Sequence, residues 1–143
     1  MDLWFAAFQG LGLSLAAGAF AGAAGRRGTV GVVLLVAAAV AGAVLFGISL
    51  AQEAHPAYPG WPLGALFGAF AFTVVRDVAE SAARRSDGDV LTSVLIALAA
   101  LALAGLSILI SPFAIAAFFG FVSLWFGRRR KAARKYEGLR TLR

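Results

Sequence analysis

Residues 90–126 read VLTSVLIALAALALAGLSILISPFAIAAFFGFVSLWF, a run interrupted only by hydroxyl side chains and by Pro112. As one helix at about 1.5 Å per residue, such a run is nearly twice as long as a hydrocarbon core of roughly 30 Å requires. As two helices it supplies two short spans. The run therefore predicts a helical hairpin broken at Ile110-Ser111-Pro112-Phe113, with a single long, tilted and kinked helix as the competing reading.

The charges decide between these two. With the hairpin, Arg26 and Arg27, Arg76, Arg84 and Arg85, and the tail from Arg128 to Arg143 all fall on one side, which accounts for all 13 lysines and arginines. With one crossing, the tail would lie opposite the earlier arginines, against the bias that keeps Lys and Arg in cytoplasmic segments. The consistent arrangement has five crossings, the N-terminus outside and the C-terminus in the cytoplasm. Trp4, Phe5, Tyr58 and Trp61 then sit at the outer interface, and Trp125 and Tyr136 at or beyond the inner one, the depth that amphipathic rings prefer.

Working back from the hairpin, the first span is expected at about 4–25 and the second at about 30–50, with Arg26-Arg27-Gly28 between them. A loop follows at 52–62, where Pro56, Pro59, Pro62 and Gly60 oppose helix. The third span is expected at about 63–83, and the last two at about 90–110 and 113–126. Residues 1–127 thus form an all-α transmembrane bundle, and 128–143 a basic cytoplasmic tail. The chain opens Met1-Asp2-Leu3-Trp4 and places its arginines after the first apolar stretch, so that stretch is expected to be retained as a span instead of removed as a signal peptide.

Composition supports this reading. Hydrophobic residues make up 61% of the 143 and charged residues 14%, with a mean hydropathy of +0.86. A soluble domain of this size has too much surface for its core to hide so much apolar area. The lipid bilayer is the first partner. The net charge of +6 does not point to nucleic acid, because the cations cluster at helix ends and in the tail. That tail has the character of a segment that contacts anionic lipid headgroups. The absence of cysteine excludes disulfide, thiolate and iron-sulfur chemistry.

Small residues recur four apart at Gly18 and Gly22 and at Gly60, Gly64 and Gly68, and Ala116 with Gly120 extends the pattern. Such faces let helices approach closely where lipid gives no hydrophobic drive. Packing within the chain and an oligomer interface both satisfy the spacing. Gly18-Ala19-Phe20-Ala21 returns as Gly68-Ala69-Phe70-Ala71, the mark of either a duplicated helical hairpin or plain low complexity.

Arg76, Asp77 and Glu80 are the candidate ligand or pathway residues, since ionisable groups at the edge of a span are costly and often functional. The structural alternative is local charge balance, with Arg76 snorkelling to the phosphates. Arg76 to Glu80 and Glu80 to Arg84 are each four apart, the spacing for ion pairs on one helix face. Gln9, Ser14, Thr73, Thr92, Ser93, Ser107 and Ser123 are expected to be mainly structural. His55 beside Glu53 makes no metal site, and no nucleophile with a base and an orienting group is visible. Neither a cofactor nor catalysis is expected.

Two stretches carry a resemblance: Gly10-Leu11-Gly12-Leu13-Ser14-Leu15-Ala16-Ala17-Gly18, and Val75-Arg76-Asp77-Val78 followed by the hairpin and the ending Lys135-Tyr136-Glu137-Gly138-Leu139-Arg140. They resemble the bacterial membrane family called domain of unknown function 4126. The resemblance implies a small multi-span protein with a glycine-rich first helix and a basic tail. It implies no activity, and the loop around His55-Pro56 departs from it. The expected function is thus that of a transport or channel-like oligomer of a bacterial inner membrane, with a non-transporting scaffold or accessory subunit of a larger complex as the alternative and a lipid-acting enzyme built on Asp77 and Glu80 as a remote third.

Overall fold

The helices begin and end where backbone chemistry demands it. In the computed structural model, which describes residues 3–24, 27–84, 89–110 and 113–140 apart from the side chains of 89, 107, 108 and 132–140, five α-helices follow one another: α1 (Leu3–Gly22), α2 (Thr29–Gln52), α3 (Gly60–Ala83), α4 (Asp89–Leu109) and α5 (Phe113–Arg140). The chain enters α2 through Gly28, whose φ of 75° and ψ of −152° belong to glycine alone. It leaves α2 by a Schellman turn, in which the His55 N–H donates to the Leu50 carbonyl at 3.0 Å and the Ala54 N–H to the Ala51 carbonyl at 3.1 Å. Ala54 holds the left-handed position of that turn at φ 59°.

The third helix starts earlier than its prolines suggest. Pro59 is its N-cap and Pro62 lies in its first turn, where a missing N–H removes no intrahelical bond. The expected hairpin forms: the Phe113 N–H donates to the Ile110 carbonyl at 3.0 Å, and α5 returns beside α3, with Phe118 edge-on to Phe67 at 5.6 Å and Trp125 near Phe70 at 6.4 Å. Residues 111–112, at the centre of the expected break, lie outside the described residues. Helix α5 continues unbroken through the start of the basic segment to Arg140.

Helices α1, α3 and α5 therefore run in one direction, with α2 and α4 returning between them. α1, α2 and α3 are each long and apolar enough to cross a membrane, and Val90–Leu106 of α4 is a shorter apolar stretch. The surface is that of a membrane protein. On α2, Val32, Val36, Val40, Val44 and Ile48 all face outward, while Ala38, Gly42 and Phe46 are buried. Both faces are apolar, so polarity does not separate inside from outside; the inner face combines small residues with Phe46, which fills the space beside Gly10 and Gly60.

The mutual packing of α1, α2 and α3 is the most extensive in the bundle, and glycine makes it so. Phe46 covers both Gly10 and Gly60, where an added Cβ would come within 3.0 Å of its ring. Gly42 and Gly64 meet backbone to backbone, Gly68 lies on the Ala38 carbonyl, and Gly18 lies on the carbonyl of Gly68. Gly22 closes the series against the Phe72 carbonyl. The repeated tetrapeptides thus lie side by side, and Gly10, Ser14 and Gly18 of α1 correspond to Gly60, Gly64 and Gly68 of α3 at a constant offset of 50.

Of the two readings of the glycine spacing, packing within the chain accounts for Gly18, Gly22, Gly64 and Gly68. Gly120 differs, with nothing within 4 Å of an added Cβ, as does Gly105. Buried Ser14 donates its hydroxyl to the Gly10 carbonyl at 2.7 Å and the Gly42 carbonyl at 3.0 Å, tying α1 to α2. Helix α4 rests mainly on α1, where Ala100 joins Ala19 and Val75 under Ile96 and Phe121.

Candidate functional site

Because α1, α3 and α5 are parallel, their C-terminal ends converge, and the charges gather there. Glu80, on the last turns of α3, is the hub. Its Oε1 accepts from Arg84 Nη2 at 2.7 Å, the i, i+4 pair of the same helix. Its Oε2 lies 2.6 Å from Nη2 of Arg27, just beyond α1. That second contact is an ion pair. The carboxylate is largely covered, whereas the side chains of Arg27 and Arg84 are 64% and 70% exposed.

One turn earlier, Asp77 takes a different partner. Arg76 Nη2 reaches Asp77 Oδ1 at 3.3 Å, and the Arg76 guanidinium lies 5.7 Å from the centre of the Phe72 ring, within cation–π range. The expected Arg76–Glu80 pair does not form: Glu80 is occupied by Arg27 and Arg84, and Arg76 turns to its neighbour instead. Ser81 then links α3 to α5, donating to the Asp77 carbonyl at 2.7 Å and accepting from Arg128 Nη2 at 2.9 Å. Arg129 stacks over Trp125 at 4.2 Å, which anchors the head of the basic segment.

These groups surround a polar pocket of about 350 Å³ lined by Arg27, Asp77, Glu80, Ser81, Arg84 and Arg128. Next to it, and sharing Arg27, a cleft of about 890 Å³ opens between α1, α3 and the start of α4, walled chiefly by small apolar side chains. Of the residues expected at a site, Asp77 and Glu80 thus share one pocket, while Arg76 faces Phe72 and Asp77. Arg27, Ser81 and Arg128 are members that sequence spacing does not announce. Their signal was the topology: three helices ending on one side bring together residues far apart in the chain. Arg26 and Arg85 lie outside the described residues, as do the side chains from 132 onward.

Two features distinguish this end from the other. It holds every described Lys and Arg, and its Glu80 is bound both by an arginine from the α1–α2 connection and by one at the end of α3. At the opposite end Trp4, Tyr58 and Trp61 are exposed and His55 caps the Schellman turn. Among the described residues no group of three or more His, Asp or Glu side chains could hold a metal ion.

No family model, curated protein or solved structure matches this chain. Its function has to be argued from its own residues.

Proposed function

We propose that this chain is a non-transporting membrane subunit, a five-crossing bundle that serves as a scaffold or accessory component of a larger assembly in a bacterial inner membrane. One observation carries the reading: the centre of the bundle is closed. Among the described residues, the glycine faces of α1, α2 and α3 are packed against backbone and side chains of the same chain, and the two buried polar residues, Ser14 and Ser49, are bonded to carbonyls of the bundle itself. The buried polar atoms without a hydrogen bond, on His55, Arg76 and Glu80, lie towards the ends of the helices. A pathway for ions or polar solutes needs polar groups left over to replace water. The exposed apolar faces of α4 and α5 remain for lipid or a partner helix.

Several expectations belong to the same proposal: the N-terminus outside, the cationic end cytoplasmic, the basic segment against anionic headgroups, no catalysis, and kinship with domain of unknown function 4126. The kinship rests on the stretches Gly10–Gly18 and Val75–Val78 and on the ending Lys135–Arg140 alone. Extraction from the native membrane in gentle detergent tests the central claim. A stoichiometric partner protein supports it, and migration as a lone species overturns it.

The cleft between α1, α3 and α4 favours a second reading, transport by an oligomer that completes a pathway around it, with Asp77 and Glu80 near its mouth. Proteoliposome flux abolished by Glu80→Gln or Asp77→Asn, with assembly unchanged, would establish this reading. Flux that is absent, or unaffected by either substitution, eliminates it.

A further inference from the structure

We propose that the cleft and the polar pocket together form one binding site for a single anionic phospholipid, with an acyl chain between α1, α3 and α4 and the headgroup phosphate at Arg27 and Arg84. The site depends on the cationic end lying at headgroup depth and stands apart from the choice between scaffold and transporter.

Shape and charge each contribute. Ala23, Ala79, Ala83 and Ala97 keep the walls of the cleft thin beside Phe20, and its volume of about 890 Å³ lies within the ~300–1,000 Å³ typical of ligand sites. The alanine and valine side chains of the wall offer an acyl chain apolar contact, while the polar part of the lining includes Arg27 and Ser93. Arg27 belongs to both spaces, so a chain lying in the cleft leads its own headgroup to the guanidinium.

Charge then selects the lipid. Among the described residues, the polar pocket sets Arg27, Arg84 and Arg128 against Asp77 and Glu80, one positive charge in excess. A phosphodiester carries one negative charge. Each of Arg27 and Arg84 directs one nitrogen at Glu80 and keeps most of its surface exposed, leaving further N–H donors from its fork of five for phosphate oxygens. Glu80 thereby orients the two guanidinium groups. A zwitterionic phospholipid has no net charge, so the excess positive charge gives it no net Coulomb attraction, whereas a phospholipid with net negative charge keeps that attraction. The occupant is a phospholipid with net negative charge, such as phosphatidylglycerol.

The test is native mass spectrometry of the full-length chain in detergent, titrated separately with phosphatidylglycerol, phosphatidylcholine and soluble glycerol phosphate. The expected result is a one-to-one adduct with roughly tenfold preference for phosphatidylglycerol over phosphatidylcholine and none with glycerol phosphate. Arg27→Gln combined with Arg84→Gln brings the preference close to parity, Arg27→Lys with Arg84→Lys retains most of it, and Ala97→Phe lowers retention of both lipids. Circular dichroism and elution volume confirm that each variant is folded. Equal retention of the two lipids overturns the proposal. So does preference surviving the double glutamine variant, which assigns selection to the basic segment. Undiminished binding in Ala97→Phe, or an equal adduct with glycerol phosphate, removes the acyl-chain half of the site and with it the proposal.

Discussion

Gly42 and Gly64 face each other across the α2–α3 contact so closely that a Cβ on either would collide with the carbonyl of the other. Neither backbone can yield without separating the helices, because Gly68 and Ala38 make the next contact one turn away. Gly64→Ala and Gly42→Ala are each expected to destabilise the bundle by about 1–3 kcal/mol, as inserting a carbon into a packed core does. Gly105→Ala and Gly120→Ala meet nothing within 4 Å and are expected to be neutral or to stabilise by about 0.4–1 kcal/mol. Unfolding in mixed detergent micelles compares the four; equal losses at all of them would contradict the packing described.

The two ends of α2 make an opposed pair. Gly28 occupies a conformation closed to other residues, and no described neighbour lies within 4 Å of an added Cβ, so Gly28→Ala is expected to lose about 1–3 kcal/mol through backbone strain. Ala54 is an L-residue in the left-handed region, and Ala54→Gly is expected to gain about 1 kcal/mol by removing the clash of Cβ with the following carbonyl. Thermal midpoints moving in opposite directions would verify both.

Ser14 bridges two helices through one hydroxyl shared between the Gly10 and Gly42 carbonyls. Ser14→Ala deletes the bridge, and the loss is expected near 0.6 kcal/mol, the average for side-chain hydrogen bonds between membrane helices. Ser14→Leu is expected to cost several times more, because the position is fully buried and faces the α1–α2 seam. The ratio of the two losses, read from the same unfolding assay, separates hydrogen bonding from space.

The absence of native cysteine makes single-cysteine labelling free of background. In the proposed orientation, Tyr58→Cys and Ile110→Cys label from outside, while Arg84→Cys and Lys131→Cys label from the cytoplasmic side. Ile110 and Lys131 are the informative pair, since they flank the apolar half of α5. Labelling of both from one side would mean that α5 does not cross.

Much of this architecture was legible in the sequence. Five apolar stretches, the break before Phe113 and the gathering of arginines at one end follow from length, proline and charge. Glycine spacing marked the packing faces but not their partners, because a four-residue repeat describes one helix and says nothing of the surface opposite. Pro62 looks like a loop residue in the sequence because proline breaks helices; its first-turn position is the exception, since the N–H there has no acceptor to lose. The Arg27–Glu80 contact was beyond local reading for a related reason. Residues far apart in the chain meet only once the helices are parallel and their ends level, and Arg76 loses Glu80 to that arrival.

Helices α1 to α3 contain the whole glycine ladder, and all of it lies before residue 84. During synthesis, the part of the bundle with the least tolerance for error is therefore complete before the final hairpin leaves the ribosome. The late helices then arrive at a finished platform, against which they can settle, exchange lipid or accept a neighbour without reopening what was made first. The order of synthesis thus delivers the residues that fix shape first and the exposed apolar faces of the last two helices afterwards.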